Sequence, residues 1–317
     1  MILRGLTAAL AKRALQAVVV AVAVATIAFF ALLSLPGDQA MRIAAGRYGY
    51  DIADTAAAAL VRAELGLDRP LVERYLLWLA DLARGDLGRS FVSGERVVGE
   101  LAHLFRHTLV LAVAAFLVGC LLGLPLGWLA GLSPGGLVDR ASLAAAVLAR
   151  ALPGFALGIL LILLFSVGLG VLPAAGYGSV DALVLPALTV GVGLGGAISR
   201  VARDSTVAAT TAPFFAFARL KGLSALQALL RHGVRNAAVP VIAYLGVQLA
   251  QLIEGVVIAE TLFAWPGLGH AMVHAIVARD VPMVQGTALV LGLMFVALNG
   301  AVDAASLAAD PRRRAAA

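Results

Sequence analysis

The sequence predicts an all-α, polytopic membrane protein with six transmembrane helices, both termini in the cytoplasm and a small helical loop domain outside. Three observations carry this. Of 317 residues, 62% are hydrophobic and only 13% charged, against about half and a quarter in soluble domains; the mean hydropathy is +0.97. Long runs free of Asp, Glu, Lys and Arg recur along the chain, near the ~20 residues that cross a bilayer as helix. Aromatic residues make up only 6%, which argues against a β-barrel with interfacial girdles and two-residue alternation. A lone cysteine, Cys120, excludes a disulfide framework and any multi-cysteine metal site.

The elements follow in order. Residues 15–35 form the first span, preceded by Arg4, Lys12 and Arg13. The run exceeds a signal peptide's apolar region and no small-x-small site ends it, so it reads as an uncleaved anchor. Residues 38–105 form an outer loop with helical periodicity at 53–65, 71–82 and 96–105, separated by Leu67-Asp68-Arg69-Pro70 and Gly85-Asp86-Leu87-Gly88-Arg89-Ser90, which read as turns. The second span lies between His107 and Asp139, broken at Ser133-Pro134-Gly135-Gly136. Gly119, Gly123, Gly127 and Gly131 repeat along it every fourth residue, a groove suited to close helix approach. The third span runs from Ser142 to Val171 and carries Arg150; the fourth follows Asp181 and ends at Arg200. The fifth runs from Asn236 to Ile258 with Glu254 inside it, and the sixth occupies 281–302 between Asp280 and Asp303. The resulting division is 1–37 (tail and first span), 38–105 (outer loop), 106–303 (a five-helix core with the inner loop 200–235) and 304–317 (tail).

Charge sets the orientation. With the N-terminus inside, thirteen Lys and Arg residues fall on cytoplasmic segments, and the short outer connections hold only Arg279. Residues 38–107 balance nine arginines with ten acids. The net charge of +6 reflects this bias, with no compact basic motif for nucleic acid.

The inner loop is the most informative stretch. After Pro213, residues 214–221 form a short amphipathic helix ended by Gly222, which suits a helix C-cap. Ser224 caps a following helix at 225–234. This loop either lies on lipid headgroups or projects a helix that another protein grips. Arg150 and Glu254 are ionisable groups inside spans, costly unless paired or facing water; they form a structural ion pair, sit near an interface, or line a solute path. His103/His107 and His270/His274 are spaced i,i+4, but lack the His-Glu-x-x-His arrangement of a zinc site. Neither Lys12 nor Lys221 sits in a phosphate-binding P-loop, and no Ser-His-Asp or Cys-His constellation has supporting context. The chain therefore reads as no enzyme; ATP-driven work would come from a separate polypeptide, and the alternative is a self-contained secondary transporter or channel.

Ala218-Arg219-Leu220-Lys221-Gly222-Leu223-Ser224, followed by Leu230-Arg231-His232-Gly233-Val234-Arg235-Asn236-Ala237-Ala238-Val239-Pro240, resembles the EAA-loop region of ABC importer permeases of the dipeptide/oligopeptide/nickel branch. Glu260-Thr261-Leu262-Phe263-Ala264-Trp265-Pro266-Gly267-Leu268-Gly269, Ala278-Arg279-Asp280-Val281-Pro282, Glu64-Leu65-Gly66-Leu67-Asp68-Arg69-Pro70 and Asp310-Pro311-Arg312 fit the same branch in the same order. The resemblance implies a type I permease subunit of a bacterial inner-membrane importer. Its partners would be a second permease, two ATPase subunits carrying ATP and Mg, and an extracytoplasmic solute-binding protein. It would bind no cofactor or metal itself. Carried over by position, Phe214, Phe215, Phe217, Ala218, Arg219, Lys221, Gly222, Leu223 and Ser224 would couple to the ATPase. Glu254 stands where the branch usually has a small residue and Arg150 where a neutral one is usual; these two, with Glu260, are the translocation-pathway candidates, and a peptide is the leading solute. The branch usually carries an acid and an arginine where this chain has Ala212-Pro213-Phe214-Phe215-Ala216-Phe217.

Overall fold

The computed structural model describes residues 2–49 and 51–309, without the side chains of 2–12, 225, 226, 232, 235, 250 and 303–309. The Asp310-Pro311-Arg312 match and the terminal arginines lie outside the described residues. In chain order the helices are α1 (Ile2–Ser34), α2 (Gln39–Tyr48), α3 (Thr55–Glu64), α4 (Leu71–Ala83), α5 (Val97–Leu132), α6 (Leu137–Ala151), α7 (Gly154–Leu161), α8 (Val180–Thr211), α9 (Pro213–Leu220), α10 (Ala225–Ala228), α11 (Val234–Leu262), α12 (Leu268–Ala278) and α13 (Val281–Ala309). Wider π-helical turns, Ile162–Gly168 and Leu229–Gly233, continue α7 and join α10 to α11. Among the described residues the only β pairing is an isolated bridge between Arg89 and Arg96.

Helices α1, α5, α8 and α13 each contain an unbroken stretch long and apolar enough to span a bilayer. The count reaches six when two bent pairs are each taken as one span: α6 with α7, at 103°, and the two halves of α11, at 46°. The third span is thus a corner, where the hydropathy of residues 142–171 suggests a rod. Pro153 brings no N–H and its ring disfavours a helical residue before it; Leu152 accordingly leaves the helix at φ −86°, ψ 125°. The corner frees the first amides of α7 from any helix partner.

The chain divides into two compact units. One comprises residues 109–265 together with the two ends of the chain. Its centre is α8, 67% of whose apolar window is buried, against 17% for α1. Small residues make that possible. Gly119, Gly123, Gly127 and Gly131 form the face of α5 that meets α8: a Cβ at Gly123 would lie 2.5 Å from the Gly195 carbonyl oxygen, and one at Gly131 2.5 Å from Thr206 Cβ. The backbones touch, which any larger side chain forbids. On its other faces α8 packs against α6, α7 and α11, closing a core around Leu111, Leu185, Ile198, Leu252, Phe263 and Trp265.

The other unit comprises residues 6–108 and 266–296. Asp38 and Asp54 start α2 and α3 as N-caps, accepting from the Ala40 and Ala57 amides at 2.9 and 2.7 Å. Tyr75 and Trp78 of α4 pack their rings on Phe29 of α1, with centroids 5.4 and 6.2 Å apart. Arg47 donates to Glu64 at 2.7 Å, and this bond holds the Glu64 carboxyl below its ordinary value. The dipeptide between α12 and α13 ties the unit together. Arg279, in the left-handed region at φ 56°, donates to the carbonyls of Leu35 (3.1 Å), Gly37 (3.0 Å) and Pro36, fixing the chain as it leaves α1. The Asp280 carboxylate caps α13 through the Met283 amide at 3.3 Å and accepts from the Phe91 amide at 3.0 Å and the Ser90 hydroxyl.

Candidate functional site

Two features of the first unit bear on function: a short helix beyond the inner end of α8 and an open cavity against the middle of it. The helix is α9. Pro213, which reads in the sequence as an interruption, is its first residue, where a missing N–H costs nothing and φ is already set. Only Ala212, extended at φ −73° and ψ 149°, separates α9 from α8. Lys221 forms the C-cap, so the helix ends one residue before the 214–221 stretch does. Gly222 turns the chain at φ +86°, a conformation L side chains disfavour. Ser224 and Gln227 then close a reciprocal capping box: Ser224 Oγ accepts from the Gln227 amide at 3.2 Å, and Gln227 Oε1 from the Ser224 amide at 3.0 Å.

Packing divides the nine residues expected to couple. Phe215 and Ala218 are buried against Leu132, Leu223, Ala228, Leu229 and Val234, so they anchor α9 and present nothing outward. Arg219 spends one donor on the Leu223 carbonyl at 2.7 Å, bracing the Gly222 turn. Phe214, Phe217 and Leu220 point away, at 37, 58 and 86% exposure; spacing of three puts them on one stripe. The Lys221 ammonium lies 4.6 Å from the Phe217 ring centroid, extending that stripe with a charge. Leu220 was not among the expected contacts, although its i+3 relation to Phe217 is readable in the sequence.

A polar cluster fixes the inner end of α8. The Asp139 carboxylate accepts from Arg203 at 2.8 and 3.1 Å, from Arg200 at 3.4 Å and from the Gly135 amide at 2.9 Å. Two arginines that count only as cytoplasmic charge in the sequence thereby clamp α6 to α8 beside the stem of α9. The residues stand more than sixty positions apart, so no local pattern announces the contact.

The cavity measures about 270 Å³ and opens where α6 turns into α7, against α8 and α11. Arg150, Gly154, Thr189, Gly193, Gln248 and Gln251 are among its lining residues. Gly193 lies ten residues from Arg203 on α8, and Arg150 eleven from Asp139 on α6; at ~1.5 Å per residue the cavity stands about 15 Å along both helices from the Asp139 cluster. Gln248 is only 6% exposed. Arg150 and Glu254 form no ion pair with each other among the described residues: Arg150 lines the cavity, while Glu254 sits exposed on α11 outside the lining. Glu260 is fully buried and does not line it either.

The histidine pairs stand as the spacing suggests, with ring centroids 4.8 Å apart for His103/His107 and 4.5 Å for His270/His274. Among the described residues no group of three His, Cys, Asp or Glu side chains gathers to hold a metal.

A bundle of apolar helices, an open polar cavity and a short helix hung from the end of the central span are the parts of a membrane transport subunit. The comparisons place it further. Residues 123–315 match the family described as binding-protein-dependent transport system inner membrane component, and residues 6–112 match that family's N-terminal module. The chain belongs to this family. It is 36% identical over 303 residues to the glutathione transport system permease protein GsiC of Escherichia coli O6:H1, covering 96% of this chain and 97% of that one, and equally to the protein of that name from Salmonella typhimurium. Among solved structures, the fold matches the inward-facing MetNI methionine ABC transporter at a TM-score of 0.57, with 21% identity over 67% of this chain and 96% of that one. An amino acid ABC transporter matches at 0.54, with 15% identity over 66% and 94%. The protein is accordingly a multi-pass inner-membrane permease of a binding-protein-dependent ABC importer, working with an ATPase and a solute-binding protein; it is not itself catalytic and holds no cofactor.

Proposed function

We propose that this chain forms one half of the translocation pathway for a peptide, paired with a second permease and driven by two ATPase subunits through α9. The observation that carries the coupling part is the build of α9. Phe215 and Ala218 root it, a single extended residue links it to α8, and Phe214, Phe217, Leu220 and Lys221 stand outward. An apolar stripe ending in a cation fits a partner groove with apolar walls and an acidic rim. This stripe takes the place of the acid and arginine usual in the branch. A push on α9 is passed to α8 and, through the Asp139–Arg203 clamp, to α6. The outer residues 38–105 face the binding protein, and 106–303 form the conducting core.

The peptide assignment rests on the 36% identity to permeases named for glutathione, which is a tripeptide. Proteoliposomes holding the assembled importer, with ATP inside and the binding protein outside, are expected to accumulate labelled glutathione or another short peptide. Gly222→Val tests the coupling. A β-branched residue at φ +86° costs roughly 1–2 kcal/mol and unseats the turn that holds α9. ATPase co-purification and uptake are expected to fall together; if both stay at wild-type level, α9 is not the coupling element. Full-rate uptake by the permease without its ATPase would establish a self-driven transporter instead.

A further inference from the structure

We infer that the cavity between α6, α7, α8 and α11 is an anion subsite, built to take a carboxylate of the passing solute. The reading of the chain as a permease is its premise; the peptide assignment is not.

Four observations converge. Arg150 brings a full positive charge to the cavity, inside the bent α6–α7 pair that counts as one apolar span, and has no ion-pair partner among the described residues. A charge within an apolar span is costly unless water or an anion meets it. Gln248, only 6% exposed, lines the cavity and contributes its carboxamide to that wall. Gln251, one turn away on α11, adds a second carboxamide to the same wall. Finally, the Pro153 corner puts the start of α7 at the cavity through Gly154. The Gly154 and Phe155 amides lie ahead of the first α7 hydrogen bonds, which begin with the Ala156 and Leu157 amides on the Pro153 carbonyl. Free amides and the positive end of a helix dipole favour an anion.

The lining residues contribute no carboxylate, since Glu254 lies outside them. The one charged group of the lining is the Arg150 guanidinium, and the carboxamide NH2 groups and the first α7 amides add donors to it, beside acceptors from the carboxamide oxygens and the last carbonyls of α6. That set selects a carboxylate over an ammonium, and Arg matches a carboxylate with two parallel bonds. At about 270 Å³ the cavity is at or below the ~300–1,000 Å³ of whole small-molecule sites, so it holds one end of the solute. Gly193 keeps it open: nothing stands within 4 Å of a Cβ placed there.

The cavity's charge preference is measurable without knowing the solute. In the assembled importer, with Cys120 replaced by alanine, Gly193→Cys places a thiol in the space left open. Its modification rate is measured with an anionic sulfonatoethyl and a cationic trimethylammonioethyl methanethiosulfonate, each normalised to its rate with a free thiol. The anionic reagent is expected to react faster by about tenfold, the scale of one unit charge a few ångströms away in a partly hydrated site. Arg150→Gln is expected to erase the preference and Arg150→Lys to keep it. Equal rates, a cationic preference, a preference that survives Arg150→Gln, or a thiol that neither reagent reaches would each overturn the inference. A second arm compares uptake of glutathione with its carboxamide form. Arg150→Gln is expected to depress the acid far more than the amide. If the wild-type importer moves neither, glutathione is not its solute, while the thiol arm still decides the subsite.

Discussion

The glycine face of α5 offers the strictest test of the packing. Alanine at Gly123 and Gly127 adds one methyl at each point where α5 crosses α8. At Gly123 that carbon would stand 2.5 Å from the Gly195 carbonyl and 2.8 Å from Ile198 Cβ; at Gly127, 2.6 Å from Ala202 Cβ. Ordinary contact begins at 3.4 Å, so the helices must part by about 0.9 Å at Gly123. Much of the obstruction is backbone, which cannot rotate away. Overpacking of this kind costs about 1–3 kcal/mol per site, whereas glycine to alanine in an unobstructed helix gains up to about 1 kcal/mol. The double variant is thus expected to lose about 2 kcal/mol net. Gly99→Ala, in the first turn of the same helix with nothing within 4 Å, is expected to be neutral or stabilising. Heating the detergent-solubilised importer and measuring the fraction that stays monodisperse reads the difference as a midpoint lowered by a few degrees. A double variant as stable as Gly99→Ala would show that α5 and α8 do not meet on this face.

Arg279→Lys is expected to loosen the unit of residues 6–108 and 266–296, because an ammonium lacks the fork that reaches the three successive carbonyls just after α1. Leaving one or two of these unmet costs about 1–3 kcal/mol each, visible as faster tryptic cleavage within residues 38–96, and wild-type protease resistance would refute the clamp. Asp139→Asn removes the charge that holds Arg200 and Arg203 while leaving α9 intact. ATPase binding is expected to persist while uptake falls about tenfold, the scale of one lost charge-assisted hydrogen bond; unimpaired uptake would remove the clamp from the coupling path.

Much of this protein is legible from its residues in order. The bilayer permits only segments that satisfy their own backbone polar groups, so apolar runs mark α1, α5, α8 and α13 directly. The repeat of Gly119, Gly123, Gly127 and Gly131 announces a close-packed face, and Gly222 and Ser224 mark the end of one inner-loop helix and the start of the next. Charge singles out Arg150 and Glu254 alike in the sequence, yet only Arg150 lines the cavity. Gln248 and Gln251 are silent there, because a carboxamide in an apolar run carries no signal until its surroundings are known. The run at 142–171 reads as one straight span, since hydropathy reports solvent preference and not direction; Pro153 turns it through 103°.

The chain by itself therefore determined where the apolar runs lie and the position of the inner-loop helix, because each depends on solvent preference or on residues a few places apart. Only the tertiary structure decided that Asp139 holds Arg203, that Phe215 faces inward while Phe217 faces out, and that Arg150, Gln248 and the start of α7 share one cavity. These depend on which helix faces pack together. That choice is made by side-chain volume and backbone approach between segments far apart in the chain, and no run of neighbouring residues records it.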